Sequence, residues 1–485
     1  MSPSQKKFYL TTTLPYVNAE PHLGHALEFV RADVIARYKM LLGFDTYFNT
    51  GTDEHGTKIQ EGAEKEGIPP KEYVDKNASR FRELFPKLGI TDTIHHIRTT
   101  DEKHIVAAQE MWKRCFDNGY IYKKTYQTKY CVGCEHNKTD SELENGKCTL
   151  HPSREIELID EENYFFKFSA FQKPLIDFYN ANPDFVIPDF RFNEIKSFVE
   201  HGLEDFSISR LKSKMSWGVP VPNDDEHVMY VWFDALTSYI STLGWPKEDG
   251  DFEYWKEGTP VQYCGKDNLR QQSAMWQAML MASGLPNTKH IIIDGFITAP
   301  DGSKMSKSSG NVISPIDILE TFKDVTDFPE DVLRFVLLHD ISSFEDGGMS
   351  LETIKASYTA HVQNGIGNIT NRIMKLSVNN SEDVKFNLEE VNFKNKGLEV
   401  FDSMKAIHAV MKEVQDLDQH IQKTEPFKVI KVDIETGKVL IRENVEQLFI
   451  IASHLKVFLP RTSEKIIECI KENKMPEKAL FNRLP

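Results

Sequence analysis

The stretch that decides the fold is residues 6–35, KKFYLTTTLPYVNAEPHLGHALEFVRADVI. Residues 6–16 are rich in aromatic and β-branched side chains and read as a buried strand. Asn18 to Pro21 form a turn. From His22 onward, Leu23, Ala26, Leu27, Val30, Val34 and Ile35 recur at spacings of three and four, a helical stripe. A second strand around Asp45–Thr50 runs into GTDEHG at 51–56. Strand, loop, helix, strand is the grammar of a parallel α/β sheet. Ligands of such sheets sit outside the carboxyl ends of the strands, where His22, His25 and Asp53 fall.

Outward from this stretch the rhythm breaks. Residues 119–225, rich in Tyr, Phe, Asn and Pro, read as an inserted domain. The α/β pattern resumes over 226–320, with VMYVWFDAL, PVQYCGKD, a helix from about Asn268 to Ser283, and HIIIDGF as a further strand. The expected organisation is a Rossmann-type catalytic domain in two halves, 1–118 and 226–320, split by the insertion. A linker, 321–350, and an α-helical bundle, 351–485, follow. In the bundle, Val362, Ile366, Ile369, Ile373 and Leu376 step along one face, and similar patterns recur near 397–421, 443–458 and 461–473. One part differs: VIKVDIETGKVLI, 429–441, alternates around Thr436-Gly437 and is expected to form a short hairpin.

Composition bounds the class. The 485 residues are 40% hydrophobic and 27% charged, which excludes disorder as the default, and no apolar run approaches the roughly 18 residues of a membrane span. Met1 to Leu10 hold no apolar signal-peptide core, so a soluble, cytoplasmic protein with no membrane partner is expected. The net charge is −15. Residues 351–485 carry 20 basic and 19 acidic residues, a net +1, so the first 350 hold −16 and any nucleic-acid partner needs local basic patches.

Three constellations carry chemistry. His22-Leu23-Gly24-His25 opens a helix, where free backbone N–H groups favour an anion, Gly24 permits close approach, and two imidazoles can donate to phosphate oxygens. Lys304-Met305-Ser306-Lys307-Ser308, between Gly302 and Gly310, is a mobile loop with two point charges and hydroxyls, a phosphate clamp. Cys131-x2-Cys134 and Cys148-x2-His151 have the spacing of a closed, structural, tetrahedral zinc site. The bland readings are surface histidines, a solvated basic loop and unrelated thiols. The remaining cysteines, Cys115, Cys264 and Cys469, read as buried structural thiols.

HLGH with KMSKS resembles the two signatures of class I aminoacyl-tRNA synthetases. LPYVNAEPHLGHALE (14–28), GTDEHGTKI (51–59), YVWFDAL (230–236) and HIIIDGFI (290–297) look like methionyl-tRNA synthetases. The resemblance implies activation of L-methionine with ATP, followed by transfer to tRNA(Met). It places His22, Gly24, His25, Asp267 and Lys307 around ATP. His22, His25, Lys304, Lys307 and Arg210 become the catalytic groups. Leu14, Tyr16, Trp232, Tyr239 and Trp276 surround the thioether, with Asp53 on the substrate ammonium and Glu28 close by. Family members commonly carry histidine at the position of Gln272, and glutamine cannot become cationic. Asn368 and Arg372 match an anticodon-reading pair, with Phe427 in place of a stacking tryptophan. The resemblance further implies one structural Zn2+, Mg2+ accompanying ATP, and a monomer, since no further domain follows the bundle. The rivals are a cysteinyl enzyme, disfavoured because strand 6–16 lacks cysteine, a catalytically dead tRNA-binding paralogue, and a small nucleotidyltransferase, which leaves the insertion and bundle unexplained.

Overall fold

The alternation of the first strand sets the two cores. Phe8 and Leu10 of β1 (Lys7–Thr12) face one apolar cluster and Tyr9 faces the other. The structure is a computed structural model; it describes residues 5–484 apart from 132–135, 139–142, 145, 149–152, 154, 304, 306–312, 381–385 and 389–390, with backbone alone at 128–131, 136–138, 148 and 159. β1 is flanked by β2 (Asp45–Thr52) and β5 (Thr259–Gly265), with β3 (His95–Arg98), β4 (Val186–Ile187) and β6 (His290–Asp294) completing a parallel sheet of order β3-β2-β1-β5-β6-β4. The chain leaves β1 toward β2 and β3, then crosses to the other side. A crevice therefore opens above the carboxyl ends of β1 and β5, the switch point where doubly wound sheets bind ligands.

The helix between β1 and β2, α1 (Leu23–Leu41), is buried along most of its length, polar residues included. It lies between the sheet and the C-terminal helices, and one apolar cluster runs through all three. Its two buried charges are neutralised across that seam. Arg31 meets Asp294 at 2.9 Å and donates to the carbonyls of Ile341, Ser342 and Ser343. Asp33 meets Arg334 at 2.7 Å, and Arg334 also donates to Val457 and Phe458 carbonyls. Helix α1 and the C-terminal helices are thus joined by hydrogen bonds as well as by packing.

The 119–225 stretch begins as a long antiparallel pair, Ile121–Cys131 with Ile156–Phe166. It also returns to the central sheet, because Val186–Ile187 pairs in parallel with Ile291 and Ile292 of β6. After β6 comes a short parallel pair, Ile297–Thr298 with Gly347–Gly348, and beyond it the described chain is helical. Leu351–Ser357, a π-helical segment Tyr358–Gly367 and Asn368–Asn380 follow one another without a break. Helices Ser403–Thr424, Ile434–Leu455 and Pro460–Glu472 pack beside them.

The hairpin expected over 429–441 does not form. Pro426–Val429 is a helical turn, and Ile434–Leu455 is one helix, capped by the Asp433 side chain on the Thr436 N–H. Gly437 is the reason the two fit together: a Cβ there would stand 2.4 Å from Ile430 Cα. The helix buries Gly437, Ile441, Val445 and Leu448 on its bundle face, so tertiary packing overrides the local alternation.

Candidate active site

The loops that follow β1 and β2 remain zipped beyond the strands. Asp53 N–H donates to Pro15 C=O at 2.9 Å, and Val17 N–H donates to Asp53 C=O at 3.1 Å. This holds Leu14, Tyr16 and Asp53 together at the mouth of the crevice. Three buried carboxylates crowd here, and their environments differ. Glu54 is paired with Arg98 at 2.7 and 2.8 Å and accepts from Thr52 and Thr100. Asp234 bridges two imidazoles, His55 at 2.8 Å and His104 at 2.7 Å. Burial pushes its carboxyl up, but the two histidines more than reverse this and hold it at about 2. Asp53 has no such partner: its Oδ1 is buried without a hydrogen bond. Burial, then the neighbouring Asp234 charge, drive its pKa well above the usual carboxylate range.

His22 caps α1. Its Nδ1 accepts the Gly24 N–H at 3.1 Å, and His25 Nδ1 accepts the His22 N–H at 3.3 Å. Because each Nδ1 accepts, each ring carries its proton on Nε2. The rings stack at 3.6 Å, and burial lowers both pKa values, His25 strongly. Two neutral imidazoles therefore sit side by side, each with Nε2–H as its donor, at the positive end of a helix. A Cβ on Gly24 would lie 3.0 Å from the His22 ring, so glycine leaves room for this fold-back. Asp267, on the turn after β5, is near enough to His22 to oppose its loss of basicity.

The aromatic residues of the expected pocket converge in part. Tyr239 and Trp276 meet edge-on at 6.0 Å in the same cluster as Leu14. Trp276 Nε1–H is buried without a partner. Tyr239 is raised by burial, with Glu28 and Asp53 among the nearby charges. Tyr16 is raised by burial and by Asp53. Glu28 accepts the Thr13 N–H at 2.6 Å, and burial, with Asp294, raises its pKa well above the ordinary range. Trp232 is half-buried on the helix Val231–Ala235. Arg210 lies 4.2 Å from the Tyr230 ring and donates to Ser207 Oγ and Ser209 C=O. Gln272 is buried in a π-helical segment, Gln271–Met275, and donates to Thr13 Oγ at 3.0 Å.

Lys304, Lys307, Cys134 and His151 lie outside the described residues, as do the side chains of Cys131 and Cys148. The backbone places Cys131 opposite His136 and Cys148 opposite Leu143, each on a short antiparallel pair. Among the described residues no three His, Cys, Asp or Glu side chains are grouped to hold a metal. Cys115, Cys264 and Cys469 are buried free thiols, as expected. In the bundle, Asn368 is exposed, Arg372 is paired with Asp418, which also accepts from Gln422 at 2.5 Å, and Phe427 is 38% exposed.

Residues 8–149 and 131–374 match the family model of class I tRNA synthetases (M). A methionine–tRNA ligase of Brucella suis is 36% identical, covering 96% of this chain and 92% of that protein. One of Thermotoga maritima is also 36% identical, over 97% of this chain and 76% of that protein. The chain belongs to the methionyl-tRNA synthetase family. A methionyl-tRNA synthetase of Mycobacterium tuberculosis, solved in complex with methionyl-adenylate, superposes with a TM-score of 0.85 at 31% identity over 99% of this chain and 98% of that one. Within this methionyl-tRNA synthetase fold, individual roles for Glu54, His55, His104, Asp234 and Arg98 were not legible in the sequence. GTDEHG and YVWFDAL marked the neighbourhood, but the pairing of His55 with Asp234 spans 179 positions.

Proposed function

We infer that this chain activates L-methionine with ATP and transfers it to the terminal adenosine of tRNA(Met), releasing pyrophosphate and AMP. The observation that carries the reading is the Asp53 carboxylate at the switch point, buried with no cation beside it and one oxygen unpartnered, in a chain similar over nearly its whole length to methionine–tRNA ligases. The substrate ammonium supplies the missing partner, which offsets the desolvation of Asp53 and lets it ionise. Leu14, Tyr16, Trp232, Tyr239 and Trp276 enclose the thioether chain, a polarizable group that suits aromatic walls.

The methionine carboxylate oxygen attacks the α-phosphorus in line. The new O–P bond forms as the bond to the pyrophosphate oxygen breaks. The tRNA ribose hydroxyl then attacks the carbonyl carbon and AMP leaves. No covalent protein nucleophile is needed, so catalysis is positioning and charge stabilisation. His22 and His25 each offer Nε2–H to the phosphate oxygens. As neutral donors they add no cation–cation repulsion to the stacked pair. Gly24 admits the nucleotide to the helix start, and Asp267 faces the same end. Lys304 and Lys307 close over the pyrophosphate, and Arg210 contacts the reacting groups. Mg2+ arrives with ATP.

The donor chemistry of Cys131, Cys134, Cys148 and His151, three thiols and an imidazole, suits one Zn2+, which stiffens the insertion and takes no part in the chemistry. Asn368 and Arg372 read anticodon bases and Phe427 stacks on one. The domains run 1–118 and 226–320 for catalysis, 119–225 for the insertion, 321–350 for the linker and 351–485 for the anticodon. The protein works as a cytoplasmic monomer. No helix among the described residues is long and apolar enough to cross a membrane. Pyrophosphate–ATP exchange run with each of the twenty amino acids tests the activation step. Exchange with methionine alone is expected, and exchange with another amino acid overturns the assignment. Charging of tRNA(Met) tests the second step.

A further inference from the structure

We infer that Gln262 and Thr288 are positioning residues of the amino-acid pocket: through a hydrogen-bond chain of fixed polarity they oblige Gln272 to donate, not accept, at Thr13. The inference rests on the pocket reading above. A side-chain amide can present either its oxygen or its nitrogen, so its direction needs an anchor of one sense. Here backbone groups anchor both ends.

The Thr288 N–H can only donate, and it meets Gln277 Oε1 at 3.2 Å. Gln277 Nε2 is therefore the donor of that amide. It reaches the Gln272 carbonyl at 2.9 Å and Thr288 Oγ at 3.1 Å. The Thr288 hydroxyl accepts from Gln277 and has one proton of its own, which it sends to Gln262 Oε1 at 2.6 Å. Gln262 Nε2 must then face Gln272 Oε1, at 3.2 Å. This leaves Gln272 Nε2 to donate to Thr13 Oγ at 3.0 Å. The Thr13 hydroxyl passes its own proton to the Tyr263 carbonyl at 3.2 Å, an atom that can only accept.

Gln262, Gln272, Gln277 and Thr288 are all buried, so water does not compete for these bonds. Reversing Gln277 sets a donor against the Thr288 N–H and an acceptor against the Gln272 carbonyl. Reversing Gln262 or Gln272 alone sets like against like at their shared junction, and reversing both leaves the Thr288 hydroxyl proton facing a donor. The far end of the chain matters to substrate. Thr13 opens the loop that carries Leu14 and Tyr16, and its N–H holds Glu28 at 2.6 Å. Gln262 thus sets the pocket wall through Gln272 and Thr13.

The test is pyrophosphate–ATP exchange with Gln262→Glu, Thr288→Val and Thr288→Ser, reading KM for methionine and for ATP separately between pH 6 and 8.5. The carboxylate that Gln262→Glu introduces can only accept once it is ionised. In Q262E the methionine KM is expected to rise about tenfold at pH 8.5 while the ATP KM holds within about twofold. Toward pH 6 the buried carboxyl regains a proton, donates again, and the ratio to wild type shrinks. A packing defect alone gives a ratio independent of pH. T288V removes the hydroxyl that orients Gln262 at nearly unchanged volume and raises the methionine KM; T288S restores it. A flat Q262E ratio, or T288V and T288S alike, overturns the inference. If Q262E fails to fold, the Thr288 pair decides. If the wild-type protein itself shows no methionine-dependent exchange, the pocket reading fails and not the relay.

Discussion

Replacing Asp53 with asparagine is predicted to split activity from stability. The free protein carries an 8% exposed carboxyl with one oxygen unpartnered. Burial first, then Asp234, raise its pKa well above 3.8. An acid raised in this way binds more protons folded than unfolded between pH 3.8 and its folded value. Stability therefore falls as pH climbs through that window. Asparagine keeps the shape and removes the cost, so the unliganded Asp53→Asn protein should melt no lower than wild type, with the difference growing as pH rises through the window. In the complex the sign reverses. The substrate ammonium loses its counter-charge in a buried site, and a hydrogen bond to a charged group there contributes about 1.5–3 kcal/mol. That corresponds to a loss of roughly 10- to 150-fold in kcat/KM for methionine in pyrophosphate exchange. The ATP KM should barely move. A threefold loss or less, or a melting temperature several degrees below wild type, refutes the reasoning, because either result means the carboxylate is satisfied by the protein itself.

Three further outcomes are expected. Asp234 is held at about 2 by its histidines against burial, so its stabilisation is complete above pH 3.8 and lost as pH falls from there toward 2; Asp234→Asn should cost about 3 kcal/mol in denaturant unfolding at pH 7, less near pH 3. Arg372→Ala should lower charging of tRNA(Met) about tenfold or more, with tRNA-independent exchange unchanged, and Asp418→Ala, which frees the guanidinium, should not reproduce that loss. Elemental analysis should find one zinc per chain, and Cys134→Ser should abolish it while methionine-dependent exchange persists, as expected of a closed, structural site.

The first 60 residues show how far a sequence reaches. Period-two and period-three-and-four patterns are local, so β1, α1 and β2 were legible, and with them the placing of His22, His25 and Asp53 at strand ends. The bundle helices over 403–424 and 460–472 followed from the same periodicity. Alternation over 429–441 points to a hairpin, but no turn forms at Gly437. It is a site of close helix packing against Ile430, a fact held by a neighbour outside the motif. Val186–Ile187, two residues long, carries no pattern to announce its return to the sheet.

The candidate site divides in the same way. Which residue types gather at the crevice was set by the sequence, since HLGH, GTDEHG and YVWFDAL each sit where one chain turn leaves them. What each carboxylate does there was decided by the tertiary structure. Glu54 meets Arg98, Asp234 meets two histidines, and Asp53 meets no cation and keeps one oxygen without a hydrogen bond, though Asp53 and Glu54 are adjacent in the chain. Burial and partnering are properties of the packed interior. Desolvation makes an unpaired charge costly only when distant segments have closed around it, and no local pattern records which segments those are.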